Sequence, residues 1–155
     1  MKDLTPSVRV VRELLPPDTG LAFETMRALR TWLPDEATFV ERVDTVQRPE
    51  GYRLVAAFDA GRAQAVSVAG FRVAHNLAFG RRHMYVDDLS TLPAARGRGH
   101  ARALLEWMLE EAQRLECRQF HLDSGVGHER AAAHRVYFNA GLEIVSHHFA
   151  TPVPR

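Results

Sequence analysis

The stretch Arg96-Gly97-Arg98-Gly99-His100-Ala101 joins a strand-like run, Tyr85 to Leu92, to an amphipathic helical pattern from about Gly97 to Leu115, and this junction constrains the chain more than any other. Two glycines one residue apart let the backbone turn without a Cβ penalty and approach a ligand closely. The helix that follows aims its unpaired N–H groups and the positive end of its dipole back at the turn, which makes an anion site. Arg96, Arg98, His100 and Arg102 add cationic groups or donors where the oxygens of a pyrophosphate would lie. A tight strand-to-helix connection with solvated arginines would give the same string, so the glycines alone do not decide between the two.

Two common phosphate loops are excluded. The chain has no G-x-x-x-x-G-K-[ST], and no third glycine or alanine at dinucleotide-fingerprint spacing followed by an acid at the end of a second strand. The longer string Asp87-Asp88-Leu89-Ser90-Thr91-Leu92-Pro93-Ala94-Ala95-Arg96-Gly97-Arg98-Gly99-His100-Ala101 instead resembles motif A of the GNAT superfamily, the acyl-CoA-dependent N-acyltransferases. That signature, [QR]-x-x-G-x-[GA], is read here at Arg96, Gly99 and Ala101, with Pro93 three residues before Arg96. Further on, Ala133-His134-Arg135-Val136-Tyr137-Phe138-Asn139-Ala140-Gly141-Leu142 is similar to the family's motif B. Together the two cover about Arg82 to Ser146.

At 155 residues and 46% apolar composition the chain fits a single domain, 1–155, with a substantial core. A net charge of +1 with interspersed signs gives no field for nucleic acid, so the basic cluster at 96 to 102 reads as a local site for a polyphosphate-bearing small molecule. The lone Cys117 cannot form an intramolecular disulfide, and Met-Lys-Asp-Leu-Thr-Pro lacks the apolar core of a signal peptide; a cytoplasmic protein is the expectation. No apolar run approaches the roughly 20 residues that span a bilayer, so no membrane association is expected.

Along the chain, Val8 to Leu14 alternates as a first strand and Pro16-Pro17 stops it. A helix capped by Asp18 or Thr19 follows, with Leu21, Ala22, Met26 and Leu29 as its apolar face up to Trp32. Pro34 breaks it, and Asp35 can cap a second helix carrying Phe39, Val40, Val43 and Val46. Arg53 to Phe58 and Ala63 to Val73 read as a hairpin around Asp59-Ala60-Gly61-Arg62, and Met84 to Leu92 as the third strand of an antiparallel meander. Gly70 within its strand implies a bulge or a close approach. Ala101, Leu104, Leu105, Met108, Ala112 and Leu115 form the core stripe of the long helix. Cys117 to Asp123 is then a strand parallel to Met84 to Leu92, reached through a right-handed crossover. A helix from about His128 to Asn139, stopped by Gly141, and a last strand, Leu142 to Phe149, complete the pattern.

The expected fold class is α+β: a mixed, mostly antiparallel sheet of about six to seven strands, helices on both faces, and one parallel βαβ crossover after the Arg-Gly-x-Gly loop. The resemblance implies that the parallel strands splay beyond the helix N-terminus and that the pantetheine arm pairs there with the main chain at Leu89 and Thr91. The cofactor-binding set is then Leu89, Thr91, Arg96, Gly97, Arg98, Gly99, His100 and Ala101, with acetyl-CoA as co-substrate. The two short N-terminal helices resemble the family's variable region, which lines the acceptor side.

Acyl transfer to an amine needs the amine neutral, a proton acceptor for it, donors for the oxyanion and an acid for the departing thiolate. Period two sends Asp87 and Asp88 to opposite faces of their strand, so at most one should face an acceptor. From family members with an acid there, Asp87 is the candidate base, or else the binding group for a cationic acceptor. His75, His83, His121 and His134 compete for that role and read equally as structural histidines. The resemblance places Tyr137 at the sulfur of CoA as the acid. Many relatives carry Asn seven residues before that tyrosine, whereas this chain has Arg130.

No metal site is expected: His128-Glu129 lacks a second histidine four residues on, and His147 and His148 point to opposite faces of a strand. Ser124 lies in no G-x-S-x-G, so it is not read as a nucleophile. The chain is thus expected to be an N-acetyltransferase using acetyl-CoA and a small-molecule or peptide amine by direct attack in a ternary complex. The expectation is compatible with a homodimer. A non-catalytic acyl-CoA-binding sensor or partner domain is the other reading.

Overall fold

The structure is a computed structural model that describes residues 9–78 and 80–155. Strands β1 (Val10–Leu14), β2 (Arg53–Phe58), β3 (Ser67–His75), β4 (Arg82–Thr91) and β5 (Gln119–Leu122) form one sheet in that order. All neighbours are antiparallel except β4 and β5, which run parallel. The helices are α1 (Phe23–Leu29), α2 (Glu36–Glu41), α3 (His100–Arg114) and α4 (Ala131–Asn139). The chain divides into two compact units, residues up to Leu122 and Asp123–Arg155.

The first unit is a sheet covered on both faces. Residues 54 to 58 of β2 are all buried, which an alternating strand achieves only with a layer on each side. Leu54, Ala56 and Phe58 belong to one cluster with Phe23 and Met26 of α1 and Phe39 of α2. The other face carries Phe71, whose ring lies 6.1 Å from Trp107 of α3. The helical stripe read from the sequence is the buried one, with Leu104, Leu105 and Met108 fully inaccessible. Arg53 ties the layers together, bonding Glu13 of β1 and Glu111 of α3 at 2.8 Å each and lying 5.0 Å over the Phe71 ring.

Three expectations change. The first helix is shorter than its apolar pattern: Asp18–Ala22 is a 3-10 turn, and α1 ends at Leu29. Thr19 is not its cap, because its hydroxyl donates to Asp44 at 2.8 Å. Asp35 does cap α2, accepting from the Thr38 N–H at 2.8 Å. The π turn Arg42–Gln47 then prolongs that helix.

The last strand, Leu142 to Phe149, does not form. That stretch has no regular structure, and Ile144, Val145 and Phe149 are exposed. The five-stranded sheet therefore replaces the six to seven strands expected. Apolar, β-branched composition favours extended backbone, but a strand exists only with a ladder partner, and the described unit Asp123–Arg155 contains no other strand. Gly141, at φ +86°, does end α4 as read.

The third change is local and matters more. Gly70 pairs with Asp88 but Phe71 pairs with Val86, so Asp87 is an extra residue in β4, a bulge. Both readings of Gly70 hold: it lies at the irregularity, and a Cβ there would fall 1.7 Å from the Tyr52 hydroxyl oxygen. The bulge breaks the period of two, so the opposite-face argument for Asp87 and Asp88 fails.

Candidate active site

The loop between β4 and α3 is built for backbone exposure. Gly97 and Gly99 have φ of +74° and +82°, a region that L side chains rarely adopt. Among the described residues nothing lies within 4 Å of where a Gly97 Cβ would be, and at Gly99 only Arg9 nitrogens approach, at 3.6 and 3.7 Å. Gly99 is the N-cap of α3 without a side-chain capping bond, which leaves first-turn N–H groups for an anion. Arg9 braces the loop from behind by donating to the carbonyls of Arg98 and, at 3.0 Å, of Gly99.

The side chains sort differently from their sequence reading. His100 is buried, with Nδ1 3.2 Å from the Ala95 carbonyl and Nε2 2.7 Å from Asp59. Its imidazole is therefore a brace for the loop and not a phosphate donor; what it can offer a ligand is its backbone N–H. Arg98 is half-exposed and also held, at 2.8 Å, by Asp59. The hydrogen bond from His100, more than the Arg98 charge, keeps the Asp59 carboxyl below the ordinary range. Arg96 makes a long bond, 3.4 Å, to the Thr91 carbonyl.

Beyond Val86 the edge of β4 beside this loop has no strand partner among the described residues. Pairing with β5 stops at Val86↔Leu122, while pairing with β3 continues to Thr91. The Leu92 N–H donates to Val66 on the β3 side at 2.9 Å, so by alternation Leu89 and Thr91 turn their main-chain groups to the other edge.

On the opposite side of β4, a cavity of about 370 Å³ opens between the sheet and the α1–α2 segment. The bulge brings both acids into its wall. Arg72 grips Asp87 with two bonds of 2.8 Å. Asp88 accepts from Arg30 at 2.7 Å and from the Tyr52 hydroxyl at 2.8 Å. Burial, then the Asp88 charge, pushes the Tyr52 phenol well up, so it stays a donor. The Asp87 bond likewise raises Arg72.

In the second unit, Tyr137 is buried on α4. Burial raises its phenol, opposed in part by the nearby Arg130 charge and by hydrogen bonds to Arg130 and Ser124. Arg130 donates to the Ser124 hydroxyl at 3.3 Å, and His134 Nε2 lies 3.1 Å from the same oxygen. His134 is thus held by local bonds to Ser124 and the Gly125 carbonyl, and Arg130, at the position seven before Tyr137, is tied to Ser124.

The family model for the acetyltransferase (GNAT) family matches residues 12–141. The chain belongs to that family. Solved structures of the same fold include a putative acetyltransferase from Agrobacterium tumefaciens (23% identical, 93% of this chain and 99% of that one, TM-score 0.77). They also include the aminoglycoside N-acetyltransferase AAC(6')-Iy in complex with CoA (16% identical, 95% of each chain, TM-score 0.79). A third is glucosamine-6-phosphate N-acetyltransferase from Arabidopsis thaliana (13% identical, 95% and 99%, TM-score 0.75). At these identities they establish the fold of this GNAT protein and no more. Comparison with curated protein sequences gave no match.

The GNAT motifs did not announce Arg9, Asp59, Arg30, Tyr52 or Arg72. Asp59 read as a turn residue, and the others carry no spacing signal because their partners are 15 to 90 residues away. Among the described residues no group of three or more His, Cys, Asp or Glu could hold a metal ion. No helix there is long and apolar enough to cross a membrane.

Proposed function

We propose that this GNAT protein transfers an acetyl group from acetyl-CoA to the primary amine of a small-molecule acceptor, acting as one acyltransferase domain. The observation that carries the reading is the pairing of a bare α3 N-terminus, preceded by two positive-φ glycines, with a β4 edge at Leu89 and Thr91 that has no strand partner among the described residues. A ligand with a pyrophosphate and an amide-bearing arm matches both features. Gly97, Arg98, Gly99, His100 and Ala101 would bind through main-chain N–H groups, and Arg96 through its guanidinium. The CoA complex of AAC(6')-Iy supports the choice of ligand.

Acetyl-CoA supplies the thioester, which the neutral amine attacks, and CoA leaves as the thiolate. Asp87 serves the acceptor side. Held by Nε and Nη2 of the Arg72 guanidinium, its carboxyl group is fixed in place, suited to drawing the ammonium proton away through water or to orienting the amine. Tyr137, kept protonated by burial, supplies the proton to the thiolate.

A thiol-release assay with acetyl-CoA across a panel of amines tests the reading. Release that depends on one class of amine is the expected result. CoA binding by calorimetry with no amine-dependent release would instead establish a non-catalytic acyl-CoA-binding domain.

A further inference from the structure

The cavity beside Asp87 carries more charge than one proton transfer requires, and the charges fall into two groups. Arg30, Arg72, Asp88 and Asp87 neutralise one another in two ion pairs of 2.7 and 2.8 Å. Arg42 and Glu50 line the same cavity with no hydrogen bond or ion pair among the described residues, although Glu50 adds to the field at Arg72. The Arg42 guanidinium lies 5.2 Å over the ring of Trp32, a side chain 59% exposed and so not recruited by the core. A guanidinium over an indole keeps its fork of N–H donors for a planar or tetrahedral anion.

Formal charges on the lining cancel, three arginines against Glu50, Asp87 and Asp88. A polycation would find one uncommitted carboxylate and three guanidinium groups. A ligand with one charge of each sign meets a partner for both without breaking an existing pair, and about 370 Å³ suits a small molecule.

We infer that the acceptor is a primary amine bearing an anionic group, carboxylate or phosphate monoester, with Arg42, seated over the Trp32 ring, receiving the anion and Glu50 the ammonium. The inference rests on the proposed acyl transfer for its amine, and on Arg42 and Glu50 for its charge. Carboxylate and phosphate share the recognition chemistry, so a matched series separates them.

The experiment compares 6-amino-1-hexanol, 6-aminohexanoate, 6-aminohexyl phosphate and kanamycin as acceptors in the thiol-release assay, and titrates the same compounds calorimetrically into the protein saturated with CoA. The expected result is at least one anionic amine about tenfold or more above the alcohol in kcat/KM or affinity, with kanamycin lowest, as one charge-assisted contact implies. Arg42→Gln should bring that ratio to near one, while Arg42→Lys should retain part of it. The ratio should also shrink with added salt. Circular dichroism and Tm of the exposed-site variants confirm folding. An anionic amine that binds wild type but not Arg42→Gln, without thiol release, would overturn acyl transfer and leave the charge assignment standing. Thiol release that favours the alcohol or kanamycin, equal losses for all acceptors in Arg42→Gln, or no binding of either anionic amine would overturn the inference.

Discussion

The loop at the start of α3 and the cavity at Asp87 flank the same strand but are made in different ways. The loop is main chain: Gly97, Gly99 and bare N–H groups, with side chains such as Arg9, Asp59 and His100 acting from behind. The cavity is side chain: Arg30 just after α1, Tyr52 just before β2 and Arg72 of β3 close on two acids brought together by a bulge. A ligand gripped by backbone forces glycine at fixed positions and so leaves a sequence pattern. A cavity gripped by side chains can draw its residues from anywhere, which lets the acceptor vary on one scaffold.

That contrast can be broken most severely at Asp87. Asp87→Asn should lower turnover by about 10²- to 10⁴-fold if it accepts the proton, with CoA affinity nearly unchanged. Turnover equal to wild type would remove Asp87 from the reaction, and a change confined to the acceptor KM would reduce it to a binding group.

Gly99→Val should do the reverse, weakening CoA by about 10- to 100-fold through lost main-chain contacts without changing any acceptor-side residue. The substitution is strained at φ +82°, but among the described residues the new Cβ meets only the flexible Arg9 terminus, so folding should persist. Wild-type calorimetric affinity in the folded variant would show that the loop does not hold the cofactor.

Tyr137→Phe belongs to neither region and should cost at least about tenfold in single-turnover rate, about 1.4 kcal/mol, with acetyl-CoA affinity kept. An unchanged rate would assign thiolate protonation to water.

The smallest effect concerns the frame shared by both regions. Its bond to Arg114, then that to Arg53, lowers the Glu111 carboxyl to about 2. A depressed carboxyl stabilises the fold above its unfolded value of about 4.3 and loses that contribution as pH falls through 2. Denaturant midpoints between about pH 4.5 and 2 should therefore fall less steeply for Glu111→Gln than for wild type. Identical slopes would mean that the Arg53 network carries no pH-dependent stability.

The sequence by itself determined the meander, the crossover helix with its Leu104, Leu105 and Met108 stripe, the Asp35 cap and the two-glycine loop. These depend on periodicity, capping and φ, which are local properties. Only the tertiary structure decided the rest. It inserted Asp87 as a bulge against Gly70 and Tyr52, buried His100 on Asp59, and left Leu142 to Phe149 without a strand partner. Each of those outcomes turns on which residue from a distant part of the chain arrives as neighbour. Propensity and spacing describe what a segment can do alone, whereas register, burial and ion pairing are fixed only when two segments meet.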